Sequence, residues 1–335
     1  MINHIALKIK SLNIKNFKSI VDITINEPNP FTVFVGPNGS GKSNIFEALE
    51  FMRTFSLFGA TYGNKNNQTI SSQVIDSYGG KSNVFNFNNN VEPISIEIIE
   101  EFRDIRLLID YDLIIKEIKS VDINNNVFNS FSRLFIGQQI DKVKNNGNLR
   151  LNNSWNSSES NLEKVLKRLL EIENIKEEIT EWLELFIPEF KNIEVRKSEF
   201  SSSEDLLIYQ KYYEKPFGKD LISNGTFYIL CLLTAVLQSD EPQFLCIEEP
   251  ENGLNPKVVK EFVNFFRDAC EQKGHYIWIN THSQTLVSQL KEEEMIIVDK
   301  VNGETKIKQF KAGAFYGMPA DEALLTNALG GGIPW

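Results

Sequence analysis

The sequence contains few histidines and few cysteines. Its 335 residues include three of each. A nuclease that binds its metal through histidines needs several of them close together, so three scattered histidines argue against this class. The cysteines, Cys231, Cys246 and Cys270, lie far apart in apolar segments. This pattern predicts small buried side chains rather than a metal site or a disulfide framework.

A surplus of positive charge and long apolar runs are also missing. The net charge is -10, which gives no support to non-specific binding of nucleic acid through lysine and arginine. Nucleic acid stays open as a partner through local basic stretches. The longest apolar run, Phe227 to Leu237, is shorter than the roughly 20 residues that a membrane span requires. The N-terminus has no apolar core of the signal-peptide type, so we expect a cytoplasmic protein outside the membrane.

The order of the apolar segments predicts an α/β fold. Residues 5–36 indicate strands, and the helix that follows carries Ile45, Leu49 and Met52 on one face. Residues 94–115 indicate strands of an antiparallel lobe. From residue 204 onward strands alternate with helices, which is typical of a mixed, mostly parallel sheet covered by helices.

The segments between these blocks have weaker patterns. Residues 59–90 are polar and rich in asparagine and glycine, and we interpret them as a long surface connection. Residues 120–155 are rich in asparagine and weakly patterned. Apolar residues at helical spacing from 162 to 183 predict one or two amphipathic helices, which form a mainly helical insertion.

The stretch VFVGPNGSGKSN, Val33 to Asn44, fits the phosphate-binding pattern G-x-x-x-x-G-K-[ST] and lies between a strand and a helix. Glycines allow successive N–H groups to face one anion, and the helix adds its positive end. Lys42 is expected to reach the β- and γ-phosphates of ATP, and Ser43 to bind Mg²⁺. The predicted nucleotide-binding residues are Gly36, Pro37, Asn38, Gly39, Ser40, Gly41, Lys42, Ser43 and Asn44.

A second group of polar residues ends the apolar strand FLCI. Glu248 is placed to approach Mg²⁺ together with Ser43, and Glu249 to orient the attacking water. Alone, two acids after a strand are an ordinary surface turn. The phosphate-binding pattern upstream favours the catalytic interpretation.

Two further strand or helix ends carry candidate residues. Ser223 and Gly225 in LISNGT precede an apolar helix, where they form a helix start and a second potential anion site. His282 follows the strand YIWIN and could contact a γ-phosphate or the attacking water. Its place after a strand of an α/β sheet, where ligands gather, favours this over a structural role.

Taken in order, SLNIKNFKSI, GPNGSGKSN, SNGT, IEEPENGLNP and NTHS resemble the ATP-binding-cassette ATPases, and more narrowly their soluble SMC/RecF-like and OLD-type branch. The resemblance covers both outer lobes of the chain. It implies that Ser223 and Gly225 match the signature motif, which meets the γ-phosphate held by a second subunit. Glu249 matches the catalytic glutamate, Glu248 the metal-side acid and His282 the switch histidine. Residues 252–255 match the loop that crosses the dimer interface, and Lys18 lies in a segment that runs near the nucleotide.

The chain departs from that pattern in three places. Many cassette ATPases have aspartate where this chain has Glu248. The Mg²⁺-sensing glutamine is not identifiable, with Gln138 and Gln139 as the candidates. We expect no nuclease module of the kind that OLD-type proteins usually carry, because few residues follow His282. The tail after residue 310 is either a segment that docks on a neighbour or a loose end.

These observations predict four segments and one leading function. Residues 1–115 and 201–310 form the two halves of an ATPase head, 116–200 an insertion and 311–335 a tail. We expect an ATP-hydrolysing switch that closes as a homodimer, or a higher oligomer, around ATP. It would control a separate effector such as a nuclease, in antiphage defence or DNA maintenance. The alternatives are an ATP clamp with negligible turnover, a RecF-like DNA-binding ATPase, a transport cassette and a nuclease that uses carboxylates alone.

Overall fold

The computed structural model describes residues 8–62, 67–86, 92–101, 104–119, 131–135, 162–197, 204–239 and 241–325. In these residues the strands form three sheets of five, three and six strands. Apolar side chains form two large buried clusters, one on each face of the six-stranded sheet. The six-stranded sheet is therefore the central layer of the fold.

The five-stranded sheet is antiparallel and forms the predicted β lobe. Its order is β2-β1-β4-β5-β6, and its strands are β1 (Ile9–Phe17), β2 (Ile20–Asn26), β4 (Ile94–Glu100), β5 (Asp104–Ile109) and β6 (Ile115–Lys119). In β4 every second side chain is buried, beginning with Ile94. This alternation is what one covered face of an antiparallel sheet requires.

The central sheet is mixed and mostly parallel, as predicted. Its order is β14-β13-β3-β12-β11-β7, with β3 (Phe31–Val35), β7 (Phe131–Phe135), β11 (Phe244–Glu248), β12 (Tyr276–Thr281), β13 (Met295–Val301) and β14 (Glu304–Gln309). Only β14 among these strands pairs antiparallel with its neighbour. Every residue of β3, β11 and β12 is buried, because helices or a second sheet cover both faces.

Helix α1 (Lys42–Tyr62) lies between the central sheet and the antiparallel sheet. Ile45, Leu49 and Met52 are buried, as predicted. Phe46 and Phe51 are buried as well, because α1 is covered on both sides. The ring of Phe46 lies 5.4 Å from that of Phe34 in β3, and the ring of Phe51 lies 5.4 Å from that of Phe17 in β1. The helix that begins at the phosphate-binding pattern thus packs against both sheets.

Helices cover the opposite face of the central sheet. They are α4 (Leu162–Leu170), α5 (Glu173–Phe186), α6 (Asn224–Leu237), α7 (Pro256–Lys273), α8 (Gln284–Val287) and α9 (Ala320–Leu325). A three-stranded sheet of β8 (Phe190–Lys197), β9 (Glu204–Gln210) and β10 (Phe217–Gly218) adjoins them. Cys231, Cys246 and Cys270 are buried and free, as predicted. Burial raises the pKa of the Cys231 thiol to about 12.

One sequence-based expectation was wrong. The expected surface connection at 59–90 contains α2 (Asn67–Ser77) and α3 (Lys81–Val84). Val74, Ile75 and Val84 enter the core beside α1, but too few apolar residues surround them to give a recognisable period. The weakly patterned segment 120–155 contains β7, which pairs with β11 in parallel.

The four predicted segment boundaries stay a prediction. Within 116–200, the structure places β7 in the central sheet and packs α4 and α5 among the helices of the opposite face. None of the helices in the described ranges combines the length and apolar character that a bilayer crossing needs.

Candidate nucleotide site

Three parallel strands of the central sheet end at the same edge. Val35 pairs with Thr281, and Glu248 pairs with Asn280. The loop 36–41 therefore starts beside Glu249 and His282, each of which follows the end of its own strand. The carboxyl edge of a parallel sheet is where α/β proteins bind ligands.

The phosphate loop, which we define as residues 36–44, holds its lysine inside. The ammonium of Lys42 donates hydrogen bonds to the carbonyls of Gly36 at 2.7 Å and Pro37 at 3.0 Å. Burial lowers the pKa of Lys42, and the carboxylates of Glu249 and Glu248 act in the opposite direction. A cation with little water around it is a strong electrostatic partner for a phosphate.

The phosphate loop contacts Thr305 of β14, a residue that was not predicted from the sequence. Gly41 has φ +104°, and a β-carbon there would stand 2.0 Å from the Thr305 hydroxyl oxygen. The same hydroxyl donates to the carbonyl of Ser40 at 3.1 Å and lies 2.6 Å from the hydroxyl of Ser19. A threonine in an otherwise polar strand carries no sequence signal for such a role.

Lys18 lies in the turn between β1 and β2, with φ +52°. Its ammonium forms an ion pair with Glu47 of α1. The adjacent Ser19 accepts a hydrogen bond of 2.6 Å from the side-chain amide of Asn44. The turn therefore touches the first residues of α1. A direct contact between Lys18 and a nucleotide stays a prediction.

The carboxylate of Glu248 is buried and fully engaged. One oxygen, Oε2, accepts from the Ser43 hydroxyl at 2.9 Å and from the Asn280 amide at 2.8 Å. The other, Oε1, accepts two hydrogen bonds from Arg133 of β7, at 3.0 and 2.7 Å. Arg133 was not predicted from the sequence, because β7 lies in a weakly patterned segment.

The side chain of Glu249 has different partners from that of Glu248. Its φ of +47° is in the left-handed region, which separates its side chain from that of Glu248. Oε1 lies 3.0 Å from His282 Nδ1, and Oε2 accepts from the Asn252 amide at 2.8 Å. The structure thus brings Glu249 and His282 together at the exposed side of the site. Their catalytic roles stay a prediction.

Glu251, a third acid of the same loop, was not identified from the sequence. It accepts a hydrogen bond from the Thr281 hydroxyl through Oε1. Burial raises the pKa of its carboxyl, and the bond from Thr281 opposes the rise. The contact links the loop after β11 to the residue before His282.

The residues at this edge fit a magnesium triphosphate. Ser43 and Glu248 offer two hard oxygen ligands side by side, and Mg²⁺ takes further ligands from phosphates and water. Buried polar atoms around them have no hydrogen-bond partner among the described residues, namely Ser40 Oγ, Asn280 Oδ1 and Glu251 Oε2. Such atoms usually have hydrogen-bond partners in a folded protein, so a polar ligand at this edge would supply the partners that they lack.

Ser223 and Gly225 are not joined to the phosphate loop by any described contact. Ser223 caps α6 by accepting from the N–H of Thr226 at 3.1 Å. A β-carbon on Gly225 would stand 3.2 Å from the carbonyl oxygen of Gly253. The helix start thus lies on the loop that follows Glu251. The glutamine candidates Gln138 and Gln139 lie outside the described residues.

The mixed sheet, with a phosphate loop after β3, paired acids after β11 and a histidine after β12, has the fold of an SMC head domain. Residues 31–288 match the family described as "AAA domain, putative AbiEii toxin, Type IV TA system". Since this match spans more than half of the chain, the chain belongs to that family. The predicted resemblance to ATP-binding-cassette ATPases of the SMC/RecF-like kind is confirmed, and the OLD-type relationship stays a prediction.

Solved structures share the fold at low sequence identity. The SMC head domain from Thermotoga maritima superposes with a TM-score of 0.53 at 16% identity, over 91% of this chain and 99% of that one. The Smc head with an extended coiled coil, bound to the C-terminal domain of ScpA from Pyrococcus furiosus, gives 0.59 at 14% identity, over 90% and 95%. At these identities the likeness shows the fold alone.

Curated relatives match over shorter stretches. The Methanocaldococcus jannaschii chromosome partition protein Smc is 38% identical over 73 residues, 22% of this chain and 6% of that protein. The RecF protein of Beutenbergia cavernae is 42% identical over 48 residues, 14% of this chain and 12% of that one. An uncharacterised M. jannaschii protein, MJECL44, is 27% identical over 147 residues, 41% and 44% of the two chains. The matches thus span less than half of each relative.

Proposed function

We propose that the protein is an ATP-binding and ATP-hydrolysing switch. The observation that carries the proposal is the divergence of two consecutive acids. Glu248 is buried against Ser43 of the phosphate loop, whereas Glu249 is half-buried against His282. One carboxylate thus serves the metal side and the other faces the side from which water would attack.

Each residue then has a defined task. Lys42 and the N–H groups of the phosphate loop hold the β- and γ-phosphates. Ser43 and Glu248 would hold Mg²⁺, which would supply positive charge beside these phosphates. Glu249 orients the attacking water and accepts its proton, while His282 holds the Glu249 carboxylate in place.

We propose that two copies close head to head around two ATP molecules. The start of α6 is exposed at Ser223, and Leu221, two residues earlier, exposes 73% of its surface. A helix start with free N–H groups is suited to a γ-phosphate. In this arrangement Ser223 and Gly225 of one copy complete the nucleotide site of the other. Assemblies larger than a dimer are compatible with the same contact.

We also propose that head closure controls a separate effector, such as a nuclease, in antiphage defence or DNA maintenance. The family description, which names a toxin of a Type IV TA system, supports a role in controlling cell fate. The Smc head structures with a bound ScpA domain support a partner on a separate chain. Nucleic acid as a partner and the cytoplasmic location stay predictions.

The test of hydrolysis is steady-state phosphate release by the full chain with ATP and Mg²⁺. The unmodified protein should turn over repeatedly, and Glu249→Gln should abolish turnover while ATP binding persists. Light scattering should then show the ATP-loaded variant at twice the monomer mass. A Glu249→Gln variant with undiminished phosphate release would show that Glu249 does not activate the attacking water.

Sharing of the site between copies has its own test. Ser223→Arg places a bulky cation at the exposed start of α6, so it should block dimerisation while each monomer still binds ATP. Asp220→Arg, three residues earlier, is the matched control for added charge near this surface. Full turnover by Ser223→Arg would contradict the shared site.

One observation favours a second function, an ATP clamp with negligible turnover. Both oxygens of Glu249 are engaged, one by His282 and the other by Asn252. A carboxylate held in this way has to release a partner before it accepts a proton from water. A clamp would release no more than one phosphate per bound ATP in a rapid burst, and Asn252→Ala would then raise the later rate.

A further inference from the structure

Arg133 lies in the centre of a buried ion network behind the metal-side acid. Its side chain is 5% exposed, and that of Glu248 is 8% exposed. Nε and Nη2 of Arg133 both donate to Glu248 Oε1. The third nitrogen, Nη1, donates to Glu50 at 3.1 Å and lies 3.5 Å from Glu47.

The two oxygens of Glu248 therefore have separate tasks. Oε1 faces Arg133, and Oε2 faces Ser43 and Asn280. A glutamate side chain has three rotatable bonds, and ordering it costs up to about 2 kcal/mol of conformational entropy. The planar guanidinium holds Oε1 through two bonds, so Oε2 is directed toward Ser43 before any ligand arrives.

The charge of Arg133 is balanced on its other side. Burial alone would lower the pKa of Arg133, but Glu248, Glu50 and Glu47 outweigh it and leave the pKa above its ordinary value. Lys18 in turn pairs with Glu47. Because these carboxylates neutralise the guanidinium, it can hold Glu248 without a large repulsion of a cation beside Ser43.

We propose that Arg133 is the positioning residue for the metal-side carboxylate and thereby sets the affinity of the nucleotide-bound protein for a divalent cation. The proposal rests on the proposed function, because it requires that Ser43 and Glu248 hold the metal.

The experiment measures Mn²⁺ binding rather than turnover. The full chain is saturated with a non-hydrolysable ATP analogue, and free Mn²⁺ is followed by electron paramagnetic resonance. Arg133→Lys keeps the charge but loses the two-bond contact, so Mn²⁺ should bind about 10- to 100-fold more weakly, as when an outer-sphere partner is lost. Arg267→Lys, which breaks a two-bond contact with Glu294 away from the site, should bind Mn²⁺ like the unmodified protein.

A double-mutant cycle separates positioning from general damage. Glu248→Gln should weaken Mn²⁺ binding by itself, and adding Arg133→Lys should then have little further effect. Unchanged Mn²⁺ affinity in Arg133→Lys, or full additivity in the cycle, would overturn the proposal. If Arg133→Lys does not fold, the double variant Arg133→Gln with Glu50→Gln takes its place in the cycle. This double variant removes one positive and one negative charge.

Nucleotide binding without metal distinguishes a failure of the proposed function from a failure of the role of Arg133. In EDTA, a fluorescent ATP analogue should bind Arg133→Lys and the unmodified protein equally well. If the unmodified protein binds no nucleotide, the proposed function fails. If it binds nucleotide and Mn²⁺ and Arg133→Lys does so equally, only the role of Arg133 fails.

Discussion

The hydroxyl oxygen of Thr305 stands 2.0 Å from the position that a β-carbon on Gly41 would occupy. Gly41 lies in the phosphate loop directly before Lys42. Thr305 is the second residue of β14, far along the chain. The backbone N–H of Thr305 also donates to the carbonyl of Ser19 at 2.8 Å. The strand β14 and the turn of Lys18 and Ser19 together hold the phosphate loop from behind.

Gly41→Ala should destabilise the nucleotide-free protein more than Gly39→Ala. Both glycines have positive φ, +104° and +79°, but the space beside Gly39 is open. Gly39→Ala should therefore cost only the left-handed strain, about 1–2 kcal/mol. Gly41→Ala should add about 1–3 kcal/mol for the clash with Thr305. Urea unfolding without nucleotide measures both, and equal losses would contradict the close contact.

Thr305→Val should weaken the loop support without a change of volume. The variant leaves the carbonyl of Ser40 without its donor, which should cost about 1–3 kcal/mol of unfolding free energy. Thr305→Ser keeps the hydroxyl and should retain most of the stability and the ATP affinity. Thermal unfolding and fluorescent-nucleotide titration give the two readouts. A valine variant as tight and as stable as the serine variant would show that the hydroxyl does nothing.

Lys42→Ala should abolish measurable ATP binding, because it removes the one buried ammonium that the described part of the phosphate loop supplies. Lys18→Ala should have a smaller effect, since the Lys18 ammonium is already paired with Glu47. A titration with a fluorescent ATP analogue compares the two variants. Retained affinity in Lys42→Ala would contradict the phosphate-loop assignment.

Glu251 should make the stability of the protein fall with rising pH. Burial raises the pKa of Glu251 above 4.5, so the folded state keeps its proton at pH values where the unfolded chain has lost it. Stability from this group is therefore present at low pH and is lost as pH rises through the raised pKa. Glu251→Gln cannot titrate and should show a shallower decline above pH 4.5.

The control for Glu251 is Glu271→Gln on the exposed face of α7. Denaturant unfolding at a series of pH values measures the difference from the unmodified protein for each variant. Identical pH profiles for the unmodified protein and Glu251→Gln would show that Glu251 does not titrate differently in the folded state.

The residues that could be predicted from the sequence lie at fixed places relative to a single strand or helix. The glycines, Lys42 and Ser43 follow one strand and open one helix, so spacing alone locates them. Glu248, Glu249 and His282 each follow an apolar strand, and parallel pairing brings their ends together. The central sheet followed from the same alternation of strands and helices.

The residues that the sequence did not predict act across the chain. Arg133 lies in a five-residue strand without an apolar period, and its partner Glu248 is distant in sequence. Thr305 touches the phosphate loop only because β13 brings β14 next to the turn after β1. Pairing of this kind is decided by the folded topology, which local propensity does not encode.

Because the backbone at Glu249 is left-handed, stability and the proposed function favour different residues at this position. For a residue other than glycine or asparagine this conformation costs about 1–2 kcal/mol, and replacement by either of those two residues would relieve it. A laboratory selection that rewards heat resistance alone is expected to replace Glu249, with asparagine or glycine as the favoured outcome. Under the proposed function, a selection that demands repeated ATP turnover would keep the glutamate and accept the lower melting temperature.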